Sequence, residues 1–136
     1  MDFNFSEEQL MIRQAAKDYA ERELITDVLE RDAKAEIPWR HIKNLGELGF
    51  FGIMVDPKYG GGGMDTLSYV LAIEEISKID AAMGVILSVH NSLPCYGIQK
   101  YGTEAQKEKY LPDLASGRKI GAYLLSAPEA GSAATS

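Results

Sequence analysis

The sequence predicts an all-α fold of about five helices, followed by the start of a β domain at the C-terminal end. Two observations predict the helices: apolar residues recur every three or four positions, and capping residues precede the apolar stretches. The β segment is predicted by the bulky apolar run at 120–125, which Pro128 follows. We therefore expect a helical domain over residues 1–118 and the beginning of a second domain over residues 119–136.

Composition excludes several classes of protein. With 46% hydrophobic and 25% charged residues, the chain of 136 residues has the composition of a folded domain and not of a disordered segment. A net charge of -6 argues against nucleic acids and anionic membranes as partners. His41 and His90 lack Cys or carboxylate neighbours at metal-ligand spacing, so we expect no metal site.

Cellular location is predicted from the single cysteine and from the start of the chain. Cys95 cannot form an internal disulfide, and the sequence shows neither a leader-like beginning nor a long apolar run. We therefore expect an intracellular protein, cytoplasmic if bacterial, or in the mitochondrial matrix if eukaryotic and already processed.

The first two helices are indicated by their starts. Ser6 and Gln9 have capping-box spacing and open a helix that we expect to run to about Arg31. Pro38 suits the first turn of a second helix, which Gly49 should end. The apolar side of this second helix is predicted to comprise Trp39, Ile42, Leu45 and Leu48.

A glycine-rich loop, residues 60–63, precedes the third helix. A phosphate-binding loop needs a lysine and a hydroxyl residue directly after it, whereas Met64 and Asp65 follow here. The sequence favours an ordinary turn before Asp65, which can cap a helix from Thr66 onward. Glu74 and Glu75 on that helix are expected to face water.

The fourth helix is predicted to be central, because residues 81–99 are apolar on nearly every face. Asp80 can cap it, and Pro94 should bend it or make one turn irregular. The polar residues before this proline either are satisfied within the core or face a cavity, and the first alternative is favoured. They are Ser88, His90, Asn91 and Ser92.

The last helix and the strand follow in close order. Thr103 and Gln106 have capping-box spacing for a helix ending near residues 115–117, and residues 120–125 have the length and bulk of a strand. A lone strand has no ladder partner, so the pattern indicates a sheet that begins here without being completed.

Three stretches, taken in this order, resemble the acyl-CoA dehydrogenase family: PKYGGGG after the second helix, GTEAQKEKYLPDLASG, and GAYLLSAPEAGS. The Met1-Asp2-Phe3 start also resembles small bacterial-type members. The resemblance implies a helical N-terminal domain, a middle β-barrel-like domain and a C-terminal four-helix domain, usually assembled as a homotetramer. FAD then oxidises an acyl-CoA to the trans-2-enoyl-CoA and passes electrons to an electron-transferring flavoprotein.

The same resemblance implies which residues meet the cofactor. Tyr123, Leu125, Ser126, Gly131 and Ser132 are expected to line FAD, with Ser132 also contacting acyl-CoA. The family's usual acids are replaced by Ala127 and Ala133. The catalytic glutamate belongs to the C-terminal domain, so we expect no catalytic residue here and no activity from the chain alone.

The resemblance further implies that the central helix forms one wall of the acyl pocket. Ile86, Val89 and Leu93 share one predicted face, and their bulk favours short or branched acyl groups, although they can equally be ordinary core residues. Two other functions remain open: a non-enzymatic helical module that binds a partner protein, and an acyl-CoA oxidase or flavin monooxygenase. Sequence beyond Ser136 would decide between them.

Overall fold

The computed structural model describes residues 4–131, which form an all-α fold as predicted. Its α-helices are α1 (Glu7–Arg22), α2 (Val28–Lys34), α3 (Trp39–Glu47), α4 (Thr66–Ile79), α5 (Ala81–His90), α6 (Tyr96–Tyr101) and α7 (Glu104–Ala115). Short 3-10 helices cover Leu24–Thr26, Phe50–Gly52 and Pro57–Tyr59, and a π-helix covers Asn91–Cys95. The Met1-Asp2-Phe3 start lies outside the described residues.

The predicted helix starts are confirmed. Ser6 and Thr103 each form a complete capping box, with Gln9 and Gln106 respectively. Asp65 accepts a hydrogen bond from the Ser68 amide at the start of α4, and Asp80 does the same for the Met83 amide at the start of α5. These bonds satisfy amides that have no partner inside a helix.

The prediction of one helix from Ser6 to about Arg31 was wrong, because the chain turns at Glu23. The Thr26 amide donates to the Glu23 carbonyl over 3.3 Å, which forms a 3-10 turn in place of the α-helical ladder. The Thr26 hydroxyl donates to the same carbonyl over 2.6 Å. Asp27 then binds the Arg31 guanidinium at the start of α2. Leu24, within this turn, is fully buried.

One core cluster lies between α1, α3, α4 and α5. Helices α1 and α4 pack along each other most extensively, and Phe51 is fully buried in the same cluster. The buried residues of this cluster are Ala16, Tyr19, Ala20, Leu24, Ile42, Leu45, Phe50, Phe51, Ile53, Ala72, Ile76, Met83 and Leu87. A second, smaller cluster beside α7 contains Val55, Tyr59, Cys95, Leu111, Leu114 and Ala115.

Some sequence predictions of burial were wrong. Trp39 is 63% exposed and Leu48 is 59% exposed, so only Ile42 and Leu45 form the buried side of α3. Glu75 is 6% exposed and not solvated, because Arg13 and Lys78 both bind its carboxylate. These two cations hold the pKa of Glu75 below its ordinary value although burial opposes the shift. Helical periodicity marks faces but does not reveal which face a neighbouring helix covers.

The glycine loop is a compact turn whose amides already have partners. The amides of Gly60, Gly61, Gly62 and Gly63 donate to backbone carbonyls over 2.8–3.3 Å. Gly60 and Gly63 have positive φ, and a Cβ at Gly61 would lie 2.1 Å from the Val55 carbonyl oxygen. Phosphate binding at these amides is therefore disfavoured, in agreement with the sequence prediction.

The central helix is irregular at Pro94, as predicted. Helix α5 continues through the π-helix Asn91–Cys95 into α6, with Pro94 inside the wide turn. In a π-turn each amide donates to the carbonyl five residues earlier. This wider turn accommodates Pro94, which has no amide hydrogen to donate. Although the helix is apolar on nearly every face, it is not covered all round: Met83 and Leu87 are fully buried, whereas Val85 is 61% exposed.

Candidate functional site

The C-terminal stretch of residues 120–126 forms neither helix nor strand and is largely exposed. We call it the open segment. Tyr123 is 56% exposed and Leu125 is 49% exposed, and Ser126 is also exposed. The predicted strand at 120–125 does not form in the described chain, because a strand needs a hydrogen-bonding partner. Within residues 4–131, the backbone groups of 122–126 form no hydrogen bond.

The open segment ends at a local turn. Ala127 and Ala130 exchange two backbone hydrogen bonds of 2.9 and 3.1 Å. Gly131 follows, with open space where a Cβ would stand. Ser132 and Ala133 lie outside the described residues. Of the residues expected to line FAD, the structure therefore describes four: Tyr123, Leu125, Ser126 and Gly131.

The three residues predicted to form an acyl-pocket wall have different surroundings. Ile86 is half-buried, packs against the main core and lines an open groove of about 690 Å³ between α2 and α5. Val89 is half-buried and Leu93 is exposed, and neither lines that groove. The π-helix begins between them, so Leu93 does not continue the regular helical spacing from Val89.

The open segment meets the central helix beside Pro94. Gly121 lies so close that a Cβ there would be 2.5 Å from Pro94 Cγ. Its amide donates to Nδ1 of His90 over 3.1 Å. Leu93, the last of the predicted wall residues, directly precedes this proline in sequence, so the start of the open segment lies near that end of the predicted wall.

His90 links three parts of the structure. It is fully buried, its Nε2 lies 3.1 Å from the Leu114 carbonyl oxygen, and its ring packs edge-on against Phe51 with centroids 4.9 Å apart. Burial lowers the pKa of His90 from its ordinary value. A neutral imidazole with its proton on Nε2 satisfies both neighbours, since the carbonyl only accepts and the amide of Gly121 only donates.

The other polar residues before Pro94 are mostly satisfied within the core, as favoured from sequence. Ser88 Oγ lies 2.9 Å from the Tyr69 hydroxyl, and Ser92 Oγ donates to the Ser88 carbonyl over 2.7 Å. Asn91 donates to the carbonyls of Phe50 and Leu87. Its buried Oδ1 has no hydrogen-bond partner among the described residues.

A second polar network lies at the opposite end of the core. His41 is fully buried between the Tyr19 hydroxyl, 2.8 Å from Nδ1, and the Asp27 carboxylate, 3.1 Å from Nε2. Arg31 continues the network from Asp27 to Asp80. The long-range pairings could not be predicted from the sequence, because Tyr19 and His41 are separated by 22 positions and Arg31 and Asp80 by 49. The network joins α1, α2, α3 and the start of α5, and every ring nitrogen of His41 is already engaged.

Within residues 4–131, neither Cys95 nor the acidic residues form a nucleophilic or metal site. Burial raises the pKa of Cys95 to about 12, which leaves its thiol protonated. Among residues 4–131, no group of three or more His, Cys, Asp or Glu side chains could hold a metal ion. No helix in that range combines the length and apolar character needed to cross a bilayer.

Comparisons with known proteins agree with the fold and with the motifs. Residues 6–118 match the family model described as acyl-CoA dehydrogenase, N-terminal domain. The short-chain specific acyl-CoA dehydrogenase of Clostridium acetobutylicum is 47% identical over 131 residues, covering 96% of this chain and 35% of that protein. The chain thus spans about a third of the length of such relatives.

Solved structures show the same similarity. Butyryl-CoA dehydrogenase from Megasphaera elsdenii superposes with a TM-score of 0.92 at 43% identity, covering 98% of this chain and 36% of that one. A chain in the solved structure of the electron transferring flavoprotein of Acidaminococcus fermentans gives 0.94 at 46% identity, covering 98% and 35%. The family match spans most of the residues, and this chain belongs to the acyl-CoA dehydrogenase family through its N-terminal domain.

Proposed function

We propose that this chain serves as the N-terminal helical domain of an FAD-dependent acyl-CoA dehydrogenase, which oxidises an acyl-CoA thioester to trans-2-enoyl-CoA. The observation that carries the proposal is the family match over residues 6–118. In the proposal, residues 1–118 form the helical domain and residues 119–136 begin the middle β domain. The base that removes the α proton then comes from the C-terminal domain.

The open segment supports FAD as the cofactor. Its residues 122–126 have backbone donors and acceptors without partners in the described chain, and Ser126 adds an exposed hydroxyl. Proteins hold and tune flavins largely through such hydrogen bonds. Tyr123, Leu125 and Ser126 would hold the cofactor, with Gly131 and Ser132 completing the contact. Bound FAD would supply the acceptor for the β hydride.

A short acyl group is the proposed substrate. Ile86, Val89 and Leu93 present bulky apolar side chains that are not fully buried, so they can contact an acyl chain and limit its length. The names of the relatives support this size, since they include short-chain and butyryl-CoA dehydrogenases. Each methylene excluded from such a pocket is worth about 1–3 kcal/mol of discrimination.

Electron-transferring flavoprotein is the proposed electron acceptor. A similar chain occurs in the solved structure of such a flavoprotein from Acidaminococcus fermentans, which supports the pairing. The proposed assembly is a homotetramer, and the proposed location is the bacterial cytoplasm, or the mitochondrial matrix for a eukaryotic protein.

The proposal is tested with the polypeptide encoded by the complete reading frame. We expect it to copurify with FAD, and butyryl-CoA to bleach the flavin absorbance without oxygen, faster than palmitoyl-CoA does. Hydrogen peroxide formed at the turnover rate in air would instead identify an oxidase. A protein that binds no FAD would refute the proposal in favour of a helical interaction module.

Activity of the isolated chain is a separate question. The 136-residue chain mixed with FAD and butyryl-CoA is expected to give no bleaching, because the proposed base lies in another domain. Turnover by this chain alone would show that the base had been placed in the wrong part of the protein.

A further inference from the structure

Among the described residues, the bond between His90 and Gly121 is the one tertiary hydrogen bond that the open segment makes. Upstream, the Lys119 amide donates to the Asp113 carbonyl over 3.1 Å. Downstream, the first hydrogen bonds belong to the local turn between Ala127 and Ala130. Within residues 4–131, the path of residues 120–126 is therefore tied to the helical domain by one hydrogen bond.

The absence of a side chain at residue 121 makes this bond possible. A Cβ on Gly121 would lie 2.5 and 2.6 Å from two carbons of Pro94, and real Cβ atoms do not approach that closely. The backbone can therefore reach Nδ1 of His90 only because the residue is glycine. The ring is held in turn by Leu114 and Phe51, so the acceptor nitrogen has a fixed direction.

We propose that His90 is a positioning residue, which sets the place and direction of the open segment by accepting the Gly121 amide while it donates to the Leu114 carbonyl. The inference rests on the proposed function, in which that segment holds FAD. Tyr123 follows Gly121 by two residues, at most about 7 Å along the chain, so a shift at the anchor is carried to the cofactor contacts. A misplacement of about 1 Å can cost on the order of 100-fold in rate.

The histidine must be neutral to do this. Protonation would place a hydrogen on Nδ1, opposite the Gly121 N–H, so the two donors would repel each other. Burial favours the neutral ring, which agrees with the lowered pKa of His90. The residues that hydrogen-bond to the ring or stack against it are Phe51, Leu114 and Gly121, which do not titrate, and no charged group contributes to the shift in the pKa of His90.

The first test uses the complete holoenzyme and compares two substitutions at one position. His90→Leu removes both hydrogen bonds, whereas His90→Gln keeps an acceptor and a donor on one side chain. We expect His90→Leu to raise the Kd for FAD and lower kcat, each by about tenfold or more, and His90→Gln to restore most of both. Gly121→Ala should act as His90→Leu does, from the other side of the bond.

A matched control comes from the other buried histidine. His41→Leu also removes the hydrogen bonds of a buried ring, but its partners are Tyr19 and Asp27, neither of which is hydrogen-bonded to the open segment. We expect it to lower stability while FAD affinity and the flavin absorption spectrum stay unchanged in the folded fraction. Equal effects of His90→Leu and His41→Leu on FAD affinity would overturn the positioning role and leave a purely structural one.

The second test does not depend on the cofactor. In the 15N-labelled 136-residue chain, the ring nitrogen shifts of His90 should report a neutral ring with the proton on Nε2, and the Gly121 amide should be protected from exchange. An unprotected Gly121 amide, or the other tautomer, would refute the inference. If the complete protein binds no FAD while this amide is protected, the proposed function fails instead.

Discussion

Asp80 provides the sharpest test of how the helical core is stabilised. Its side chain is 2% exposed, binds Arg31 over 2.7 Å and caps α5 through the Met83 amide. Removing one partner of a buried ion pair costs about 3–5 kcal/mol, and losing a cap costs about 1 kcal/mol. Arg31 keeps Asp27 as a second partner, which favours the low end of the first range. We therefore expect Asp80→Ala to cost about 4 kcal/mol in total.

Two further variants separate the ion pair from the cap. Asp80→Asn retains the cap and a neutral acceptor for Arg31, so it should cost about 2 kcal/mol. Asp65→Ala removes an exposed cap that makes no ion pair with an arginine, and should cost about 1 kcal/mol. We expect Asp80→Ala to be the most destabilising of the three variants, Asp80→Asn to be intermediate and Asp65→Ala to be the least destabilising.

Urea unfolding followed by far-UV circular dichroism measures these costs. For a slope of about 2 kcal/mol per molar urea, Asp80→Ala should lower the midpoint by about 2 M. The slopes themselves should stay constant, which would show that the variants change stability and not the extent of unfolding. If Asp80→Ala cost no more than Asp65→Ala, the buried ion pair would contribute nothing beyond the cap, and the reasoning would be refuted.

Further predictions concern glycines, pH and the cysteine. Gly61→Ala should cost about 1–3 kcal/mol in urea unfolding, because its Cβ would lie 2.1 Å from the Val55 carbonyl oxygen. Gly97→Ala places its Cβ in open space within α6, so it should instead raise the free energy of unfolding by about 0.5–1 kcal/mol. A loss of stability would show that the site is not open. Burial lowers the pKa of His90, so its contribution to stability is complete above its ordinary value of 6.5 and lost at lower pH. The pH dependence of unfolding should therefore be shallower in His90→Gln. Ellman's reagent should leave Cys95 unmodified until the protein unfolds, because burial raises its pKa to about 12, and rapid modification of the native chain would show that the thiol is accessible.

The sequence alone determined the helical class, the starts of the main helices and the family. The caps at Ser6, Asp65, Asp80 and Thr103 could be predicted because each acts on an amide three residues away, so the signal is contained in a few neighbouring positions. The irregular turn at Pro94 was predicted for the same reason, since a proline disrupts its own helix wherever that helix lies.

Only the tertiary structure decided which faces are buried and which polar groups meet. Glu75 was expected in water and is buried against Arg13, and Trp39 was expected in the core and is exposed. His90 finds Gly121 at a separation of 31 positions. Such pairings depend on how whole helices pack, and periodicity within one helix has no information about its neighbour. The strand predicted at 120–125 failed for a related reason, because its hydrogen bonds must come from elsewhere.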